Sequence, residues 1–274
     1  MDTFPKTKGH VCFCDFPLPH SQEERWSGYT YFNNKRQLIK SLYAGRAYFC
    51  LSKSIPMKFE KIHNKGQAQI FRSPALEALT KAHPLVIWGI YLPVIIGFPI
   101  YAIRNFDFKI GPIAFLFITG MLSWTLFEYI MHRWVFHMIA ESERSRRIIY
   151  VMHGNHHHYP RDKERLFMPP VPSVIIASVI FGIMFLSMGN NAFIFFPGFM
   201  LGYLMYGSMH FAIHAWNPPF KWMKPLWRNH HLHHYKDEGK GYGVSTTIWD
   251  RAFGTMFDLK KEKEDKEKVK ELMY

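Results

Sequence analysis

The sequence predicts an all-α integral membrane protein with four transmembrane helices. Three observations carry this. Four apolar runs cover residues 84–103, 111–135, 173–188 and 192–212. Basic residues are spread unevenly over the segments joining them, and histidine clusters recur near one end of the runs.

A bilayer core takes roughly 20 apolar residues of helix, so the second and fourth runs qualify outright. The first contains Pro93 and Pro99, which would kink it but are tolerated in membrane helices when neighbours satisfy the freed carbonyls. The third is short. With Pro172 before it and Gly189-Asn190-Asn191 after it, runs three and four read as a hairpin. Arg104 and Lys109 lie between the first two runs, and no basic residue separates the last two. Arg144, Arg146, Arg147, Arg161, Lys163 and Arg165 follow the second run, and many more follow the fourth. The positive-inside rule therefore places both termini and the central loop on the cytoplasmic side.

The net charge is +13, from 34 basic and 21 acidic residues. Such an excess suits nucleic acid, an anionic membrane surface or an acidic substrate. The apolar runs decide for the membrane and against nucleic acid. Cys12, Cys14 and Cys50 form neither a disulfide framework nor a zinc-knuckle spacing. Residues 1–56 have no secretory h-region and no sustained periodicity, and are expected to be disordered or dispensable. A domain is expected over residues 57–259. The Lys/Glu-rich run at 260–274 reads as a solvated tail.

Of sixteen histidines, twelve fall between His132 and His234 in four clusters. These are His132 with His137; His153, His156, His157 and His158; His210 with His214; and His230, His231, His233 and His234. Charge-derived topology gathers all four on the cytoplasmic side. Helix positions i, i+3 and i+4 share a face, so His153/His156/His157 and His230/His233/His234 can each offer ligands to two adjacent ions. His210 and His214 form an i, i+4 pair. His132 and His137 are five apart, about 140° around an ideal helix, so the helix is expected to end or bend there. Setting aside His158 and His231 leaves ten candidates, about five nitrogens for each of two ions. All-imidazole sites suit iron, zinc, copper or nickel; redox iron and structural or substituting zinc are the leading candidates. His158 and His231 are expected around the site or at the surface. Glu128, four residues before His132, is read either as support behind a ligand or polar substrate contact, or as an interfacial carboxylate reaching water.

At these clusters the chain resembles the fatty acid hydroxylase superfamily, and within it the fatty acid (sphingolipid) 2-hydroxylases. The resemblance runs from about residue 58 to 259. It rests on Glu128-Tyr-Ile-Met-His132-Arg-Trp-Val-Phe-His137, on His153-Gly-Asn-His156-His157-His158-Tyr-Pro and on Arg165-Leu-Phe-Met-Pro-Pro170. It continues through Tyr206-Gly-Ser-Met-His210, His214, His230-His-Leu-His233-His234 and Gly241-Tyr-Gly-Val-Ser. It implies a four-span bundle under a cytoplasmic helical cap, with a di-iron centre between cap and bilayer. The implied reaction is dioxygen-dependent hydroxylation at C2 of a fatty acyl chain, free or sphingolipid-linked. The implied location is the endoplasmic reticulum in a eukaryote or the inner membrane in a bacterium. The His-Pro-Gly-Gly haem motif of a fused cytochrome b5 domain does not occur here, so a separate cytochrome b5-like or ferredoxin-like reductant is implied. The chain also departs at Gly207, where the family commonly carries Asp. A sterol or carotenoid oxidase, a lipid desaturase, or a metal-binding membrane protein without catalysis are the competing expectations.

Overall fold

The computed structural model describes residues 38–43, 46–51, 62–140 and 142–258. The chain divides into two units on either side of Ile55. In the first, β1 (Leu38–Tyr43) and β2 (Arg46–Leu51) pair as an antiparallel hairpin with Leu38 opposite Leu51. Periodicity placed no element there. The expected dispensability of residues 1–56 concerns a stretch of which only this hairpin is described, and the 260–274 tail lies outside the described residues.

In the second unit, the described residues form helices and turns only. These are α1 (Pro74–Ala78), α2 (Pro84–Asn105), α3 (Ile110–Ile130), α4 (Glu143–Ile149), α5 (Asn155–His158), α6 (Pro170–Met188), α7 (Ala192–Ala215), α8 (Lys224–Tyr235) and α9 (Ile248–Ala252). Helix α2 runs unbroken through Pro93 and Pro99.

Three helical stretches are long and apolar enough to cross a membrane: Pro84–Asn105, Ile110–Phe136 and Lys163–Ala215. This differs from the four expected. The third and fourth runs fall inside one 53-residue stretch, as α6 and α7 joined by a tight turn at Gly189–Asn191. The two helices fold back on each other. Phe185 meets Phe193, Phe181 meets Phe196, and Ser173 meets Tyr203.

Helix α7 is the spine of the bundle. It lies parallel to α3, because Phe117 abuts Gly198 and Trp124 abuts Gly202. A Cβ on Gly198 would stand 2.0 Å from the Phe117 carbonyl oxygen, and one on Gly202 2.5 Å from Trp124 Cβ. The Gly198-Phe-Met-Leu-Gly202 spacing thus lets two backbones approach as membrane helices do when dispersion rather than water drives packing. Helix α2 runs the opposite way, with Trp88 Nε1 donating to Ser208 Oγ at 3.0 Å near one end and Tyr101 against Phe193 near the other. Because α3 and α7 are parallel, both deliver their C-terminal histidines to the same end of the bundle.

Candidate metal centre

The ten histidines converge as two groups of five. His132, His137, His153, His157 and His233 form the first; His156, His210, His214, His230 and His234 form the second. Within each group one ring nitrogen per residue lies within 4.8 Å of all the others. The i, i+4 pairs stay together, and neighbours in sequence part: His156 and His157 go to opposite groups, as do His233 and His234. The expected convergence of His153, His156 and His157 is thereby refined into a division between two sites. The groups abut, with the His157 and His234 rings stacked at 4.2 Å.

Local backbone explains the five-residue spacing of His132 and His137. Helix α3 widens into a π-helix over Met131–Phe136, and the His137 N–H donates to the His132 carbonyl at 3.2 Å. That i→i+5 turn puts both rings on one side before the helix ends at His137. A second π-turn, Tyr150–Gly154, joins α4 to α5 and carries His153. Asn155 Nδ2 donates to the carbonyls of Tyr150 and Val151 at 3.0 and 2.9 Å, securing this widened turn.

Proton positions follow from the outer partners. His132 Nδ1–H donates to the Tyr242 carbonyl at 2.6 Å, and His233 Nδ1–H to the Lys240 carbonyl at 2.7 Å. A carbonyl can only accept, so the inward Nε2 of each neutral ring is a lone pair. Burial keeps the rings neutral. Loss of water first, and neighbouring imidazoles second, push His153, His156, His157, His230, His233 and His234 well below the ordinary histidine value. Burial, then the His132 ring, pushes His137 down to about 2.

Inward nitrogens crowd together. His153 Nε2 lies 3.0 Å from both His132 Nε2 and His157 Nε2, while His230 Nε2 lies 3.0 Å from His214 Nε2 and 3.1 Å from His234 Nε2. Nε2 of His137, His156 and His233 is buried without a hydrogen-bond partner among the described residues. Lone pairs held this close repel unless a cation or proton lies between them. Nitrogens about 2.1 Å from a metal and at right angles are about 3 Å apart, so the donor set fits two metal ions.

Glu128 stands behind a ligand at one remove, as the first of its two readings has it, and not at a water interface. It is 4% exposed and reaches no water, nor does it bond to a histidine. Its Oε1 accepts from the Val244 and Ser245 N–H groups at 2.8 Å each, and its Oε2 from the Ser245 hydroxyl. It clamps the loop whose Tyr242 carbonyl aims His132. Asp250, which spacing did not single out, clamps the same loop from the other side. It accepts from the Tyr242 and Gly243 N–H groups at 2.9 Å each, from Thr255 at 2.8 Å and from Asn229 at 3.0 Å. Gly241, at φ +71° and with its Cβ position 2.6 Å from Phe257, lets the loop turn.

His158 and His231 stand outside both groups. His158 packs edge-on to Tyr150, and its carbonyl accepts the His63 N–H at 2.7 Å. His231 donates Nδ1–H to the Trp227 carbonyl at 2.6 Å, and burial pushes it down to about 4. Glu238 lies 3.7 Å from His137 Nδ1; with that ring held neutral, the contact is not an ion pair. Gly207 is filled from outside: a Cβ there would stand 2.3 Å from the Phe167 ring.

A cavity of about 500 Å³ opens against both groups, touching His153, His156 and His210. Its walls are mostly apolar, from Leu76, Leu79, Phe127, Ile176, Ile180, Phe199 and Met200 among others. Leu76, Leu79 and Ile176 are also exposed, so it opens along an apolar flank of the bundle.

Together these features define a helical protein with membrane-length apolar stretches, a paired imidazole cradle suited to metals and an apolar cavity beside it. Residues 117–255 match the family described as fatty acid hydroxylase, and the chain belongs to that family. It is 36% identical over 198 residues to the ceramide very long chain fatty acid hydroxylase SCS7 of Saccharomyces cerevisiae, covering 70% of this chain and 50% of the relative. It is 33% identical to the dihydroceramide fatty acyl 2-hydroxylase FAH1 of Arabidopsis thaliana, covering 72% and 83%. A solved structure described as full-length scs7p, with only the hydroxylase domain visible, superposes with a TM-score of 0.65 at 36% identity, covering 70% of this chain and 73% of that one. The chain thus spans about half the length of the yeast relative.

Proposed function

We propose that this chain hydroxylates C2 of a fatty acyl chain, with dioxygen as oxidant and a pair of iron ions held by the ten histidines. The observation that carries the reading is the apolar cavity touching both five-histidine groups. Iron bound there would supply the redox chemistry that zinc, which has none, cannot. In the net reaction a C2–H bond becomes C2–OH and dioxygen is reduced, with two electrons and two protons, to that hydroxyl oxygen and one water. The electrons come from a separate cytochrome b5-like or ferredoxin-like donor.

The chain's own residues do the remaining work. Carbonyls of Tyr242, Lys240 and Leu166 orient His132, His233 and His210. The apolar walls hold an acyl chain straight and keep water from the reacting carbon. The antiparallel α6 and α7 suit two crossings, hence four spans. The positive-inside rule then puts α4, α5, α8 and α9 on the cytoplasmic side as a cap. On this reading residues 1–56 are dispensable for the reaction.

Lipids from a host expressing the chain should gain 2-hydroxylated acyl groups, and His156→Ala should abolish them. A new double bond or an altered sterol in place of the 2-hydroxyl would overturn the assignment. Undiminished product from His156→Ala would overturn the ligand set.

A further inference from the structure

We infer that Arg165 is a substrate-positioning residue whose Nε–H holds the acyl carbonyl oxygen, fixing the adjacent carbon for reaction. This rests on the hydroxylase reading proposed above. Arg165 forms part of the wall of the cavity that reaches His153, His156 and His210. The carbonyl of the next residue, Leu166, accepts His210 Nδ1–H at 3.3 Å. The arginine is therefore one residue away from backbone that orients the second histidine group.

Its side chain is only 3% exposed and is gripped at both terminal nitrogens. Nη1 donates to Asp162 at 2.6 Å and Nη2 to Glu77. Glu77 is itself fixed by the Ile70 and Phe71 N–H groups, at 3.0 and 2.7 Å. A guanidinium is planar with its donors in a fixed fork, so pinning both terminal nitrogens also fixes the direction of Nε–H. That donor is buried and has no hydrogen-bond partner among the described residues. Buried donors are nearly always paired, because an unpaired one is costly. Here the unpaired donor belongs to a residue on the wall of the cavity that receives the substrate.

The acceptor's charge follows from the neighbours. Two carboxylates already surround the single guanidinium, leaving no surplus positive charge for a third. The free donor suits the neutral carbonyl oxygen of an amide or ester rather than a carboxylate. Hydroxylation at C2 takes place one bond from that carbonyl, so a rigid donor at this point sets which carbon is presented to the metals.

The test uses the full-length protein in nanodiscs, loaded with zinc so that nothing turns over. Two probes of equal length compete for the cavity: a saturated long-chain acyl methyl ester and the alkyl methyl ether lacking the carbonyl. Wild type should prefer the ester by about tenfold or more, and Arg165→Lys should bind both within about twofold. A purely structural role for Arg165 would weaken both probes together and leave the ratio unchanged, which would overturn the inference. Equal binding of the probes by wild type would overturn it without any variant. Should Arg165→Lys not fold, arginine Nε-labelled wild type decides by magnetic resonance: the buried Nε–H signal should move with ester and not with ether, and no movement would overturn the inference. With iron, Arg165→Lys should spread hydroxylation from C2 to neighbouring carbons. If the hydroxylase reading itself fails, iron-loaded wild type makes no 2-hydroxy product at all; if only this inference fails, that product forms and the probe ratio is one.

Discussion

Tyr242 shows how a histidine is aimed by a group that has no side-chain signature. Its carbonyl accepts His132 Nδ1–H, while its own N–H donates to Asp250. On the far side of the loop, Glu128 holds Val244 and Ser245. The two buried carboxylates thus serve the site at one remove, by fixing the backbone that orients a ring. Glu128→Ala removes the acceptor of three hydrogen bonds. It should cost roughly 2–4 kcal/mol of stability and release metal from the first histidine group before the second. Elemental analysis after chelator dialysis checks this: about one metal per chain should remain, against two in wild type. Two retained metals with unchanged stability would show that the clamp is idle. Sequence clustering singled out the ten histidines that converge here, and the i, i+4 repeat explains only the pairs His153/His157, His210/His214 and His230/His234. Clustering did not find Asp250 or the particular loop that Glu128 clamps, because most of their partners are backbone N–H groups, which every residue carries.

At the scale of elements, the π-turns and the glycine-lined contact are what the periodicity could not specify. A five-residue interval between His132 and His137 conflicts with an ideal α-helix, and the chain resolves the conflict by widening the helix before ending it. The apolar runs marked the helices well, including α2 through its two prolines. The β1–β2 hairpin was missed because Leu-Ile-Lys-Ser-Leu-Tyr has no clean alternation of apolar and polar residues. The α3–α7 contact yields a discriminating prediction. Gly198→Ala drives a methyl group to within 2.0 Å of the Phe117 carbonyl and should cost about 1–3 kcal/mol or more by overpacking. Gly182→Ala on α6, where a Cβ meets nothing within 4 Å, should be neutral or slightly stabilising, by up to about 1 kcal/mol from helix propensity. Thermal midpoints in detergent compare the two. Equal shifts would mean that α3 and α7 do not pack as described.

For the whole molecule, two parallel helices carry histidines to one end of the bundle, and the helices beyond that end supply the rest. The same bundle leaves an apolar cavity beneath the paired groups. In the proposed reaction, metal ions held by the histidines and an acyl chain entering along the apolar flank would meet in this cavity, with Arg165 on its wall. Apolar runs and histidine clusters made the long helices and the histidine-rich end legible in outline. The cavity and its arginine were not, since they depend on which faces of α1, α6 and α7 come together. A single turnover tests the proposed chemistry most directly. Full-length protein loaded with iron, reduced, and supplied with a long-chain acyl lipid is exposed to oxygen-18 dioxygen, and the lipid is read by mass spectrometry. The expected product is a 2-hydroxyacyl lipid carrying one oxygen-18 atom at C2. An unlabelled hydroxyl, a desaturated chain or unchanged lipid would contradict it.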